Sequence, residues 1–315
     1  MTARQPPGEK GAKACTIGYT SPASWIFCTY FPEYQGKRVH FYNKFEGGNR
    51  MFGAIIGDVV GSRFEFNEHK SKDFELFARG CTFTDDTVMT LAVAKALLSY
   101  ETMPDLNQFK IKLVRVMHEI GRRYPRCGFG GRFGAWIMEN RTEPYGSYGN
   151  GSAMRVAPVA WFSKSLAECE KLAIASAEVT HNHPEGTKGA VAVAGAIFIA
   201  RTGGTMAQIR QYTEQYYKPD FTLDEIRPEY DFVETCQGTV PQALDAFFES
   251  TGFEDAIRNA VSIGGDSDTI ADMTGAIAEA YYGVDREMKE NALSYLDYDL
   301  LDIAEEFGQK FVRTK

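Results

Sequence analysis

Gly264-Gly265-Asp266-Ser267-Asp268-Thr269-Ile270-Ala271-Asp272-Met273-Thr274-Gly275-Ala276-Ile277-Ala278-Glu279-Ala280-Tyr281-Tyr282 opens on two glycines, crosses a short acidic cluster and runs on in Ala, Gly and Ile. Residues 269 to 282 are small and apolar all round, which predicts a helix in the centre of a bundle with neighbouring backbones close by. Residues 187 to 201 share that composition and predict a second buried helix. Outward from these, the patterns turn amphipathic. After Pro104, Asp105 can cap a segment in which Phe109, Leu113, Val116 and Ile120 recur at helical spacing. Ser165-Leu166-Ala167-Glu168 and Thr222-Leu223-Asp224-Glu225 are capping-box patterns at two further helix starts. Alternating strand patterns are scarce and no βα unit repeats. The expected fold class is therefore all-α, a compact bundle of many helices with ligand-binding loops between them.

The acidic head of that stretch has a counterpart far upstream, Thr84-Asp85-Asp86-Thr87, again where an irregular segment gives way to a helical apolar pattern. Carboxylates packed this closely repel, and burying them without a counter-charge costs several kcal/mol per ion, so a cation between them is the expected remedy. Donors that are all oxygen, with no Cys or His, suit hard cations such as Mg²⁺ or Mn²⁺ rather than Zn²⁺. Either cluster alone reads more readily as an N-cap with a solvated first-turn charge. The same Asp/Asp/Thr chemistry at two helix starts favours a shared metal site.

Composition sets outer bounds. A chain of 315 residues with 44% hydrophobic content can bury a large core as one domain. A net charge of −8, with no basic run or zinc-finger spacing, argues against nucleic acid as a partner. The six cysteines are scattered singly, which predicts no disulfide framework and a reducing, cytoplasmic setting. The longest apolar stretch, Gly189 to Ala200, is too short for a membrane span, and no signal-peptide layout is present. Nothing in the chain demands a dimer, so a monomer is expected.

Residues 1–50 form a separate zone, with seven basic against three acidic residues, while the remaining chain carries −12. The zone is also rich in aromatics, which is unusual for a disordered tail. Two readings stay open: a basic aromatic arm that docks on the acidic body or on a protein partner, or an upstream-start artefact, since Met51 directly precedes the next motif. Deleting residues 1–50 and measuring partner binding would decide between them.

Two more segments carry chemistry. Gly146 to Arg155 suits a pyrophosphate: closely spaced glycines let backbone N–H groups approach phosphate oxygens, Ser147 and Ser152 add hydroxyls, and a helix can start behind them. Tyr148 could stack on adenine or ribose. Arg155 reads equally as a ligand contact or an ion-pair partner at the core edge. In Thr180-His181-Asn182-His183-Pro184 the histidines are not read as metal ligands, because the acidic clusters already offer a complete oxygen site. His183 reads as a helix-start residue.

Five blocks stand in order: Gly53-Ala54-Ile55-Ile56-Gly57-Asp58-Val59-Val60-Gly61-Ser62-Arg63-Phe64-Glu65, then Phe83 to Thr87, Gly146 to Pro158, Thr180 to Gly186 and Gly264 to Ala271. This set resembles the ADP-ribosylglycohydrolase family, which includes dinitrogenase reductase-activating glycohydrolases and the ADP-ribosyl-arginine and ADP-ribosyl-serine hydrolases. The resemblance covers residues 51 to about 285 and implies the family's all-α orthogonal bundle over a domain of residues 51–315. It also implies two Mg²⁺ or Mn²⁺ ions held by Thr84, Asp85, Asp86, Asp266, Asp268 and Thr269, with Glu65 as general acid/base. Gly146, Ser147, Tyr148, Gly149, Asn150, Gly151, Ser152, Met154 and His181 would contact ADP-ribose. Asp58 is a second carboxylate of the first block, read as structural. The implied activity is metal-dependent hydrolysis of a glycosidic bond that frees ADP-ribose from a modified protein side chain, with arginine favoured. A reading of a different class is an immunity or binding protein that counters an ADP-ribosylating transferase, by occlusion through residues 1–50 or by reversing the modification. A catalytically idle copy is a third.

Overall fold

In the computed structural model, residues 51–311 are described, so the arm expected over residues 1–50 lies outside the described residues. The helices, in chain order, are α1 (Gly53–Gly61), α2 (Asp85–Leu97), α3 (Leu106–Gly121), α4 (Gly131–Met138), α5 (Gly151–Met154), α6 (Ala157–Phe162), α7 (Leu166–Glu178) and α8 (Pro184–Arg201). They continue as α9 (Met206–Thr213), α10 (Leu223–Ile226), α11 (Cys236–Phe248), α12 (Phe253–Ser262), α13 (Ser267–Tyr282), α14 (Arg286–Leu293) and α15 (Tyr298–Phe311). Among the described residues there is no strand, and a single antiparallel bridge joins Gly149 to Thr235. The all-α expectation holds.

The two helices read as central, α8 and α13, are buried over nearly their whole length. α13 is the hub, packing along α1 and against α8, α11 and α12. Its contact with α1 is the most extensive in the fold, because α1 turns glycines at every fourth position toward it. A Cβ on Gly53 would come within 2.1 Å of the Gly275 carbonyl oxygen, one on Gly57 within 2.0 Å of the Ala271 carbonyl oxygen, and one on Gly61 within 2.5 Å of Asp268 Cα. The pairing order shows the two helices antiparallel, so the end of α1 meets the start of α13. No side chain of its own caps α1. Glu279 from α13 does so instead, with Oε2 accepting the N–H groups of Met51 (3.0 Å) and Gly53 (2.8 Å).

The local signals are realised where expected. Asp105 accepts the N–H groups of Asn107 and Gln108 at the start of α3, whose Phe109, Leu113, Val116 and Ile120 are buried. Thr222 and Glu225 form the full reciprocal box. At Ser165 the hydroxyl accepts the Glu168 N–H, but the Glu168 carboxylate takes the N–H of Lys164, one residue before the cap. The four cysteines within the described residues are free, and no helix among the described residues is long and apolar enough to cross a membrane.

Candidate metal centre

The close α1–α13 contact places Asp58, next to Gly57, beside the start of α13. Asp58 is fully buried and organises the start of α2. Its Oδ2 accepts the N–H groups of Thr84 (2.9 Å) and Thr87 (3.1 Å), and its Oδ1 accepts the Thr84 hydroxyl (2.7 Å). Thr84 in turn caps α2 by accepting the Asp86 N–H at 3.3 Å. The two acidic clusters then meet directly, since the Thr269 hydroxyl donates to Asp86 Oδ2 at 3.2 Å. Asn150 joins from the glycine segment and donates to Asp266 Oδ2 at 2.6 Å. The positive ends of α2 and α13 both face this cluster, which favours negative charge there.

Two triplets of carboxylates emerge. One oxygen each from Asp58, Asp86 and Asp268 lie within 4.8 Å of one another, as do one each from Glu65, Asp266 and Asp268. Asp268 belongs to both. Burial, reinforced by neighbouring carboxylates, raises every one of these groups: Asp266 to about 6, Asp58 to about 7 and Glu65 to about 10, with Asp86 and Asp268 well above the usual carboxylate range. Among the buried oxygens, Asp86 Oδ1 and both oxygens of Asp272 lack a hydrogen-bond partner. Crowded anionic oxygens with open lone pairs and no Lys or Arg within either triplet fit a hard divalent cation. The chemistry of the donor set thus agrees with the metal site expected from the sequence.

Of the six expected ligands, Asp86, Asp266 and Asp268 fall in the triplets, and Thr84 and Thr269 hydrogen-bond to Asp86. Asp85 falls outside both. It is half-buried, and Gly128, at φ +116°, passes so close that a Cβ there would lie 2.8 Å from Asp85 Oδ1. Burial, then Asp268 and Asp58, push its carboxyl well up. Asp85 therefore borders the open side of the cluster, where Glu65 is also only partly covered.

The glycine segment is held by its own bonds. Gly146 donates its N–H to Asn182 Oδ1, Gly149 to Ser147 Oγ, and Asn150 to the Glu234 carbonyl. Ser152 is buried and donates to the Gly186 carbonyl at 2.7 Å, so its hydroxyl is turned inward, contrary to the expected outward donor. Met154 is likewise buried beneath the segment. Gly151 opens α5 against the His181 ring, with room so small that a Cβ would come within 3.2 Å of Nε2. His181 is buried, its Nδ1 is 2.7 Å from Thr180 Oγ1, and burial with Arg155 and Arg132 holds it well below the usual imidazole range. Tyr148 is 46% exposed, its ring 5.3 Å from that of His183, which caps α8 as expected. Arg155 is corrected: it is fully buried and donates to the Ser176 carbonyl and the Thr180 hydroxyl, with no ion pair among the described residues.

Asp272 carries no signal in the sequence reading, although its position four residues after Asp268 puts it on the same helix face. A lone Asp inside a helical run ordinarily signals a solvated face, and only the packing shows it enclosed.

Comparison with known proteins agrees with the geometry. A family model described as ADP-ribosylglycohydrolase matches residues 41–315. The ADP-ribosylhydrolase ARH3 of Homo sapiens is 27% identical over 80% of this chain and 90% of its own. The ADP-ribosyl-[dinitrogen reductase] glycohydrolase of Rhodospirillum rubrum is 28% identical over 78% of this chain and 88% of its own. The ADP-ribosylarginine hydrolase Tri1 of Pseudomonas putida is 28% identical over 74% and 70% respectively. A solved ADP-ribosylglycohydrolase-related protein complex shares the fold, with a TM-score of 0.60 at 23% identity over 82% of this chain and 95% of the other. With the family model spanning most of its length, this chain belongs to the ADP-ribosylglycohydrolase family.

Proposed function

We propose that this protein hydrolyses the glycosidic bond between ADP-ribose and a modified protein side chain, with ADP-ribosyl-arginine as the substrate. The observation that carries the reading is the position of Asp268 in two carboxylate triplets at once, one of which includes Glu65. Two divalent cations, Mg²⁺ or Mn²⁺, would be held by Thr84, Asp85, Asp86, Asp266, Asp268 and Thr269. When bound, they would polarise water and grip the hydroxyls of the distal ribose.

The chain's own groups supply the rest. In the metal-free protein, burial and then Asp268, Asp266, Asp85 and Asp58 raise Glu65 to about 10. It is the group assigned to protonate the leaving atom as the bond to the anomeric carbon breaks. Water supplies the hydroxyl that completes ADP-ribose, and the side chain leaves unmodified. The surrounding carboxylates favour the positive charge that develops on the sugar. On the other side, the segment from Gly146 to Gly151 faces the pyrophosphate, Tyr148 the adenine or ribose, and neutral His181 braces the segment from behind; Ser152 and Met154 support it from below. The relative named as an ADP-ribosylarginine hydrolase favours arginine as the modified residue.

The test is incubation with separate arginine- and serine-ADP-ribosylated peptides, with and without EDTA, followed by mass measurement. The expected result is release of ADP-ribose from the arginine-linked peptide, silenced by EDTA and by Asp85→Ala or Asp268→Ala. Turnover that persists in EDTA, or in Asp268→Ala, would sink the metal-dependent reading.

A further inference from the structure

Two large apolar side chains stand in the open beside Glu65. Phe66 is 75% exposed and Phe232 is 39% exposed, and their rings stack with centroids 5.9 Å apart and planes at 29°. Two exposed aromatics in mutual contact form a larger apolar patch than scattered single residues do, and such a patch is a candidate binding surface. Their backbones are tied to the metal-binding loops. Phe66 directly follows Glu65, while its near neighbour Phe64 turns into the core. Lys70, from the same segment, donates to the carbonyls of Tyr230 and Ile263 (the latter at 2.7 Å) and so pins the Glu65 segment to both the Phe232 loop and the loop before Asp266. The Tyr230 ring lies so close to Gly265 that a Cβ there would meet it at 2.6 Å. Beyond Phe232, the Glu234 carbonyl accepts the Asn150 N–H, and Thr235 bridges to Gly149. The loop carrying Phe232 therefore runs between the metal cluster and the glycine segment.

Charge around the pair is one-sided. Glu68, Asp231 and Glu234 are exposed. The basic groups nearest in sequence are already engaged: Arg63 donates to the Glu75 carbonyl and lies 4.4 Å from the centroid of the Phe64 ring, and Lys70 is engaged with backbone carbonyls and Glu68. The glycine segment carries its own aromatic pair, Tyr148 with His183, beside the residues assigned to the pyrophosphate. The adenosine end of the ligand thus has a platform of its own, and the pair next to Glu65 is left for the group on the far side of the scissile bond.

We infer that Phe66 and Phe232 form the leaving-group platform, a stacked aromatic surface in an acidic rim that receives the planar cationic guanidinium of an ADP-ribosylated arginine. A guanidinium lies flat on such rings and is attracted by their faces, whereas a serine side chain offers neither charge nor plane. The inference rests on the proposed hydrolase reading and adds the residues that select the substrate.

The test uses the full chain with Mg²⁺ or Mn²⁺ and measures kcat/KM on arginine- and serine-linked ADP-ribosyl peptides, together with affinity for free ADP-ribose. Phe66→Ala and Phe232→Ala are expected to lower the arginine-over-serine ratio about tenfold, through KM, with ADP-ribose affinity unchanged and Phe66→Tyr restoring the ratio. Where the wild type leaves the serine-linked peptide uncleaved, the same tenfold loss is read on the arginine-linked peptide against ADP-ribose affinity. Equal losses on both peptides, or no loss, overturns the platform and leaves the hydrolase reading standing, whereas a wild type that cleaves only the serine linkage overturns both the platform and arginine as the substrate and leaves the metal-dependent hydrolysis standing. A wild type that cleaves neither peptide overturns both.

Discussion

Asp272 isolates the cost of enclosing crowded carboxylates. Its carboxyl is wholly enclosed, neither oxygen has a partner, and burial with Asp58 and Asp268 drives it well above the usual range. Leaving a buried polar group unsatisfied costs about 1–3 kcal/mol. Asp272→Ala is therefore expected to stabilise the metal-free protein by about 1 kcal/mol, once the small void is allowed for, as read by urea denaturation in EDTA. A loss of stability would mean that the carboxyl has a partner after all. At this same scale the sequence is only partly readable. Asp266, Asp268 and Asp86 announce themselves by clustering beside helix starts. Asp272 does not, because enclosure by α1 and α2 is a property of neighbours, and Asp85 cannot be told from Asp86 until Gly128 is seen against one of them.

Between elements, the decisive contact is α1 on α13. Glycines at Gly53, Gly57 and Gly61 let the two backbones approach so closely that Asp58 and Asp268 come within one carboxylate triplet. Gly57→Ala would force a methyl group to within 2.0 Å of the Ala271 carbonyl oxygen, a backbone atom that no side-chain rotation can move. The expected cost is about 3 kcal/mol, at the upper end of overpacking, with weaker Mg²⁺ or Mn²⁺ binding in titration calorimetry as Asp58 is pushed away from Asp268. Gly131→Ala is the matched control: no atom lies within 4 Å of its added Cβ at the start of α4, so stability should be unchanged or raised by about 0.5 kcal/mol. Comparable destabilisation by the two substitutions would refute the close-approach account. The composition of α13 does indicate near contact with another backbone; that the partner is α1, and in which register, is not readable from either helix alone.

Across the whole molecule, stability is linked to the acidity of the centre. Asp266 titrates near 6, Asp58 near 7 and Glu65 near 10, against ordinary values of 3.8, 3.8 and 4.5. Folded values raised in this way mean that the folded, metal-free protein holds more protons than the unfolded chain above pH about 4. The stability contributed by those protonated carboxyls is complete below the ordinary values and is lost as pH climbs through 6 and then 7. The thermal midpoint in EDTA should accordingly fall between pH 5 and pH 8, and saturating Mg²⁺ or Mn²⁺ should flatten or reverse that slope, because cations replace the protons. Scanning fluorimetry across this range checks it, and a midpoint in EDTA that rises with pH would contradict the crowding of unpaired carboxylates.

By itself the sequence determined that the chain is helical, where several helices begin, which two are buried on all sides, and that carboxylates gather at two helix starts, because propensity, capping and side-chain chemistry are local properties. Only the tertiary structure decided that Asp268 is shared between two triplets, that Ser152 and Arg155 turn inward, and that Phe66 stacks on Phe232. Each of these depends on which remote segments the close packing of small residues brings side by side, and that is a property of the assembled bundle rather than of any one stretch.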